Sequence, residues 1–89
     1  MPNNKSHRAL SPIQRKILSF FLENQGSVDT SRGVSACVNE SLKTVRAALE
    51  DLAARGFLKA HRTTSTVGYS CALSKKDLSR IIPPLNKGQ

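Results

Sequence analysis

The stretch NESLKTVRAALEDLAARGFLKAHR, residues 39–62, decides the fold. Val45, Ala48, Leu49 and Leu52 recur at spacings of three and four, which returns them to one face of an α-helix. Leu42, Lys43, Thr44, Arg46, Ala47 and Glu50 occupy the rest of the circumference. The pattern predicts a helix from Leu42 to about Arg55, capped by Ser41, whose hydroxyl can satisfy an orphan amide of the first turn. Gly56 should end it, because glycine takes the left-handed conformation that closes a helix at little cost. The next run, FLKAHR, reads as a strand.

Working outward towards the N-terminus, ACVNES ends one helical pattern before the next begins. Asn39 suits a tight left-handed turn. Before it, DTSRGVSACV predicts a helix capped by Asp29 or Thr30, with Val34, Cys37 and Val38 as its buried stripe. Gly33 costs that helix about 1 kcal/mol relative to alanine. Val28, in the short extended SVD, is expected to point inward. Further upstream, SPIQ carries a capping-box signature: Ser11 as cap, Pro12 at the first helical position and Gln14 facing back. Ile13, Ile17, Leu18, Phe20, Phe21 and Leu22 form a broad apolar stripe, with Arg15 and Lys16 off it. Gly26 is the expected C-terminal residue of this first helix.

Towards the C-terminus, YSCAL is a second β-compatible run. Between the two runs lies TTSTVG, with Gly68 expected to give the turn its freedom. Together they predict a hairpin over residues 57–73, with Tyr69 packed at its base. SKKDLSRII resumes helical spacing from a Ser74 cap, with Leu78, Ile81 and Ile82 apolar, and Pro83–Pro84 stops it. Residues 1–10 read as a flexible basic arm, 11–82 as one domain and 83–89 as a tail.

The order is helix, short strand, helix, tight turn, helix, hairpin, short helix. That is an α+β chain, mostly α: a winged helix-turn-helix with a three-helix core, a C-terminal β-hairpin wing and a short terminal helix. In such an arrangement the helix after the turn offers one face to the core and the other to the DNA major groove. The divided faces of residues 41–55 meet that requirement.

The segment VSACVNESLKTVRAALEDLAARGFL resembles the core of bacterial winged helix-turn-helix regulators. Their pattern runs apolar, small, two variable positions, apolar, a turn residue, then Ser, three variable positions and Val. Apolar residues follow four and seven positions on, then Gly and an apolar pair. Val34, Ser35, Val38, Asn39, Ser41, Val45, Leu49, Leu52, Gly56, Phe57 and Leu58 occupy these places. The resemblance covers roughly residues 11–74. Small size and the GYSCAL return strand look most like the short fimbrial-operon regulators of the PapI and FaeA type. Two positions depart from the pattern. Glu40 stands where an apolar residue is usual, with Leu42 available to replace its contact, and Asn39 stands where Gly is common. Glu40 also brings a negative charge near the expected path of phosphate.

The resemblance implies a sequence-specific double-stranded DNA-binding transcriptional regulator. Ser41, Lys43, Thr44, Arg46 and Ala47 would face the major groove. The wing would lie on the backbone or minor groove through Lys59, Arg62 and Thr64. Arg46 is the expected base reader, because its fork pairs bidentately with guanine, and Lys43 the expected phosphate contact. Ser41 and Thr44 can serve phosphate or simply cap the helix. A homodimer on adjacent half-sites could use the arm, the first helix, or Leu78, Ile81 and Ile82.

Composition agrees with a polyanionic partner. Fourteen Lys and Arg against six Asp and Glu give a formal charge of +8 in 89 residues. With one Tyr, three Phe and no Trp, stacking platforms for single-stranded RNA are scarce. A winged helix can also act as a protein–protein adaptor, but Lys43, Arg46, Lys59 and Arg62 favour DNA. No stretch approaches the roughly 18 apolar residues of a membrane span. The start MPNNKSHRAL has no apolar core of signal-peptide length, which predicts a cytoplasmic, nucleoid-associated protein. Cys37 and Cys71, each among apolar neighbours, are expected to be reduced and buried. No C-x-x-C pair exists, only His7 and His61 could complete a metal site, and His61 reads as a surface residue. No metal or cofactor is expected. Nor is catalysis: no phosphate-cradling glycine loop or nucleophile motif is present, and Glu50 and Asp51, adjacent on a helix, point apart.

Overall fold

A computed structural model describes residues 10–82. The elements are α1 (Pro12–Glu23), β1 (Asp29–Thr30), α2 (Ser31–Val38), α3 (Leu42–Ala54), β2 (Leu58–Arg62), β3 (Val67–Cys71) and α4 (Lys75–Ile81). Most of the expected basic arm (1–9) and the expected tail (83–89) lie outside the described residues. Leu10, assigned to the arm, is half-buried and packs against the core.

The helix starts follow the predicted chemistry. Ser11 and Gln14 form a full capping box: the Gln14 amide donates to Ser11 Oγ at 3.2 Å, and the Ser11 amide to Gln14 Oε1 at 3.1 Å. Thr30 caps α2, Ser41 caps α3 and Ser74 caps α4. Asn39 is left-handed at φ 59°, and the Glu40 amide donates back to the Ser35 carbonyl at 3.2 Å. Asn39, Glu40 and Ser41 are the whole turn between α2 and α3. Gly56, at φ 89°, ends α3. Its amide donates to the Ala53 carbonyl (3.1 Å) and that of Phe57 to the Leu52 carbonyl (2.9 Å), the paired closure of a Schellman motif.

The core forms where the three helices meet the inner face of the sheet. Ile17, Leu18 and Phe21 of α1, Val34 of α2, and Val45, Leu49 and Leu52 of α3 are fully buried. Leu58 and Tyr69 bring the base of the wing against them, and Leu78 and Ile82 close the far side. Gln14 is the buried polar residue of this core. It donates through Nε2 to Asp51 Oδ2 at 2.7 Å, and Asp51 Oδ2 also accepts from Arg55 Nε at 3.1 Å. The Arg55 guanidinium in turn lies 5.9 Å from the centre of the Phe57 ring. This chain of contacts ties α1 to the end of α3 and satisfies a polar group that burial would otherwise penalise.

The sheet is antiparallel, in the order β1-β3-β2. Leu58 pairs with Cys71, Ala60 with Tyr69 and Arg62 with Val67; on the other side Asp29 pairs with Tyr69 and Thr30 with Gly68. Alternation along the strands puts Leu58, Ala60, Arg62, Val67, Tyr69 and Cys71 on the face towards the helices, and Lys59, His61, Gly68 and Ser70 on the other. Among the described residues, no helix is long and apolar enough to cross a membrane.

Several expectations need correction. Cys37 is exposed and Cys71 only half-buried. A two-turn helix meets the core along a narrow line, and the Val34–Val38 pair already fills it. Val28 is 57% exposed instead of inward. Gly68 lies inside β3 and not in the turn, which is residues 63–66. The departures at Val28 and Gly68 share one cause. A Cβ on Gly68 would stand 2.8 Å from Val28 Cγ1, so the glycine gives Val28 a place on the outer face of the sheet. The first helix stops before Gly26: Asn24 caps it, its amide donating to the Phe20 carbonyl at 3.1 Å. Leu78 and Ile82 are spent on the core, which removes them from any dimer surface and leaves half-buried Ile81.

Candidate nucleic-acid interface

The N-terminal half of α3 carries Lys43, Thr44, Arg46 and Ala47 exposed, while Val45, Ala48 and Leu49 anchor it from behind. Ser41 and Thr44 are bound to each other: the Thr44 amide donates to Ser41 Oγ (3.2 Å), and Ser41 Oγ donates to Thr44 Oγ1 (2.8 Å). The capping role is thus realised, and both hydroxyl oxygens keep lone pairs open to solvent.

A cleft of about 430 Å³ separates this helix from the wing. Arg46 and Glu50 of α3, Arg62 of β2, Arg32 of α2 and Thr66 of the turn are among its lining residues. A second hollow, of about 520 Å³, shares Glu50, Arg62 and Tyr69 and runs on towards Ala53 and Ala60. Three arginines from three elements therefore line one space. Arg32, Arg46, Arg62 and Glu50 form no ion pair among the described residues, where the ion pairs are Lys16–Glu40 and Arg55–Asp51. The positive field of the cleft is accordingly uncompensated except by Glu50.

The expected site residues divide. Ser41 caps α3, and Lys43, Thr44, Arg46 and Ala47 stand exposed on its first turns; of these, Arg46 alone lines the cleft, with Arg62 on the wing side. Lys59 lies three residues before Arg62, hence on the opposite face of the hairpin. Thr64 is exposed at the tip, in a turn closed by Thr63 and Thr66 (Thr63 amide to Thr66 carbonyl, 2.9 Å). Ser65 and Thr66, not Thr64, reach the cleft. His61 is half-buried against Ser70, Nε2 to Oγ 2.8 Å. The charge of Glu40 is engaged by Lys16, Nζ to Oε2 3.0 Å, which offsets the negative charge that its sequence position brings.

Arg32 escapes a reading of the sequence. Periodicity leaves it on the outer side of α2, but nothing local says what it faces. Its place follows from the pairing of Thr30 with Gly68, which brings the start of α2 beside the wing.

No family model matches the chain, and no curated protein matches it either. Solved structures do. A possible transcriptional regulator from Methanosarcina mazei Go1 superposes with a TM-score of 0.72 at 17% identity, over 88% of this chain and 68% of that one. MepR of S. aureus, in a complex with DNA, gives 0.69 at 13% identity, over 84% and 63%. The homodimeric winged helix-turn-helix DNA-binding domain of a possible ArsR-family regulator from Mycobacterium bovis gives 0.62 at 19% identity, over 81%. The present chain spans 62% of the length of that domain. The fold is thereby established: this is a winged helix-turn-helix domain.

Proposed function

We propose that the chain binds double-stranded DNA and regulates transcription, with α3 in the major groove and the wing against the backbone or minor groove. The observation that carries this reading is the convergence of Arg32, Arg46 and Arg62 on one cleft beside the outward face of α3. Arg32 and Arg62, on separate elements and in no ion pair among the described residues, suit a phosphate strand along the wing side of the cleft, with Arg46 on the base side. Affinity then comes mainly from phosphates, and specificity from the third helix. The fold neighbours support the reading by what they are. Two copies on adjacent half-sites would raise affinity and specificity together, as half-site geometry does for other helix-turn-helix proteins. Within the bacterial winged-helix regulators, the return strand favours the fimbrial-operon type, and a DNA partner favours work at the nucleoid.

The test is binding to random and genomic duplexes across a salt series. Each phosphate contact should steepen the plot of log affinity against log salt by about 0.9. With Arg32, Arg62 and Lys43 on phosphate and Arg46 on a base, the slope should reach roughly −2.7 per bound chain. Affinity that is negligible at low salt, or indifferent to salt, would sink the DNA reading and favour a protein-binding adaptor.

A further inference from the structure

The cleft is lined by one acidic residue, Glu50, among three arginines. Glu50 is exposed, sits one helical turn beyond Arg46, and lines both hollows between α3 and the wing. The adjacent Asp51 turns the other way and is committed to Gln14 and Arg55. Glu50 has no such commitment: among the described residues it enters no ion pair.

A carboxylate is acceptor-only, so its favourable partners on DNA are few. Phosphate repels it. Guanine O6 and N7 and thymine O4 are acceptors too. Of the major-groove edges only cytosine N4 and adenine N6 donate, and adenine sets the acceptor N7 beside its amino group. We infer that Glu50 is a specificity-determining residue that accepts a hydrogen bond from the N4 amino group of cytosine. The inference rests on the DNA-binding reading above. Four residues of helix advance about 6 Å, and base pairs are spaced about 3.4 Å. Arg46 on guanine and Glu50 on cytosine therefore read positions about two steps apart. Guanine and thymine offer the carboxylate only acceptors, and adenine a donor beside an acceptor, so the same group lowers affinity for random DNA.

The experiment is selection from a randomised duplex pool by the wild-type chain, Glu50→Ala and Glu50→Gln, with circular dichroism confirming that each is folded. The wild type should enrich cytosine at one position about two steps from a guanine. In Glu50→Ala that position should lose about fivefold or more of its discrimination while the rest of the motif survives. In Glu50→Gln it should move to adenine, whose N6 and N7 a glutamine engages bidentately. Both variants should bind random duplex several-fold more tightly than wild type. One motif common to all three proteins overturns the assignment, even if random affinity rises, because Glu50 would then be a nearby charge and not a reader. A wild-type chain that enriches no motif instead overturns sequence-specific DNA binding itself.

Discussion

On the DNA-binding reading proposed above, Arg46 is the residue on which base recognition would turn. Val45 and Leu49, fully buried on either side of it in sequence, fix the rotation of the helix, so Arg46 lines the cleft with no ion-pair partner among the described residues. Arg46→Ala should therefore cost about 1–3 kcal/mol on the specific site and much less on random duplex, measured by competition titration. Equal losses on both would make Arg46 a phosphate contact. Its place is legible in the sequence because a helix spaced by Val45, Leu49 and Leu52 leaves little freedom about which residues face out. The same logic misplaces Cys37, which stands on a shorter helix. Over two turns, i and i+4 suffice for burial, and an i+3 neighbour can stay in water. Arg32 is invisible for a different reason: the pairing that orients it joins residues far apart in the chain.

At the scale of elements, caps and turns are written locally and can be read locally. Ser11, Ser41, Asn39 and Gly56 all act through backbone groups within a few residues. The third strand of the sheet is only partly marked: SVD reads as short and extended, but its partner strand does not show in the sequence. β1 is two residues long and exists because β3 offers Tyr69 and Gly68 to pair with it. Strand parity also separates two wing residues that the sequence presents as a pair. Arg62 shares the inner face with Ala60 and Tyr69 and lines the cleft; Lys59 points away. Of these two, a phosphate strand in the cleft would meet Arg62 alone. Arg62→Ala should thus flatten the slope of log affinity against log salt by about 0.9, with base preference intact, while Lys59→Ala should leave the slope near wild type. Equal flattening by both would show that the backbone wraps the hairpin and does not thread the cleft.

Across the whole molecule, the charge that suits a polyanion must coexist with a small core. An 89-residue chain of formal charge +8 repels itself, and its stability depends on a few ties between elements. The Gln14–Asp51–Arg55 link is one, joining α1 to α3. The amide of Gln14, first, and then Arg55 hold the Asp51 carboxyl below its ordinary value of 3.8, against a partial opposing effect of burial. A carboxylate whose folded pKa is depressed adds stability that is present above the unfolded pKa and lost as pH falls through the folded one. The side chain of Asp51 is 49% exposed, so solvent screening limits the contribution to less than about 1 kcal/mol. Asp51→Asn keeps an oxygen for Gln14 but removes the charge. In urea unfolding between about pH 7 and pH 2, the variant should be the less stable protein above about pH 4 and should converge on wild type below it. Curves that stay parallel through this window would mean that the folded chain favours the Asp51 carboxylate no more than the unfolded chain does.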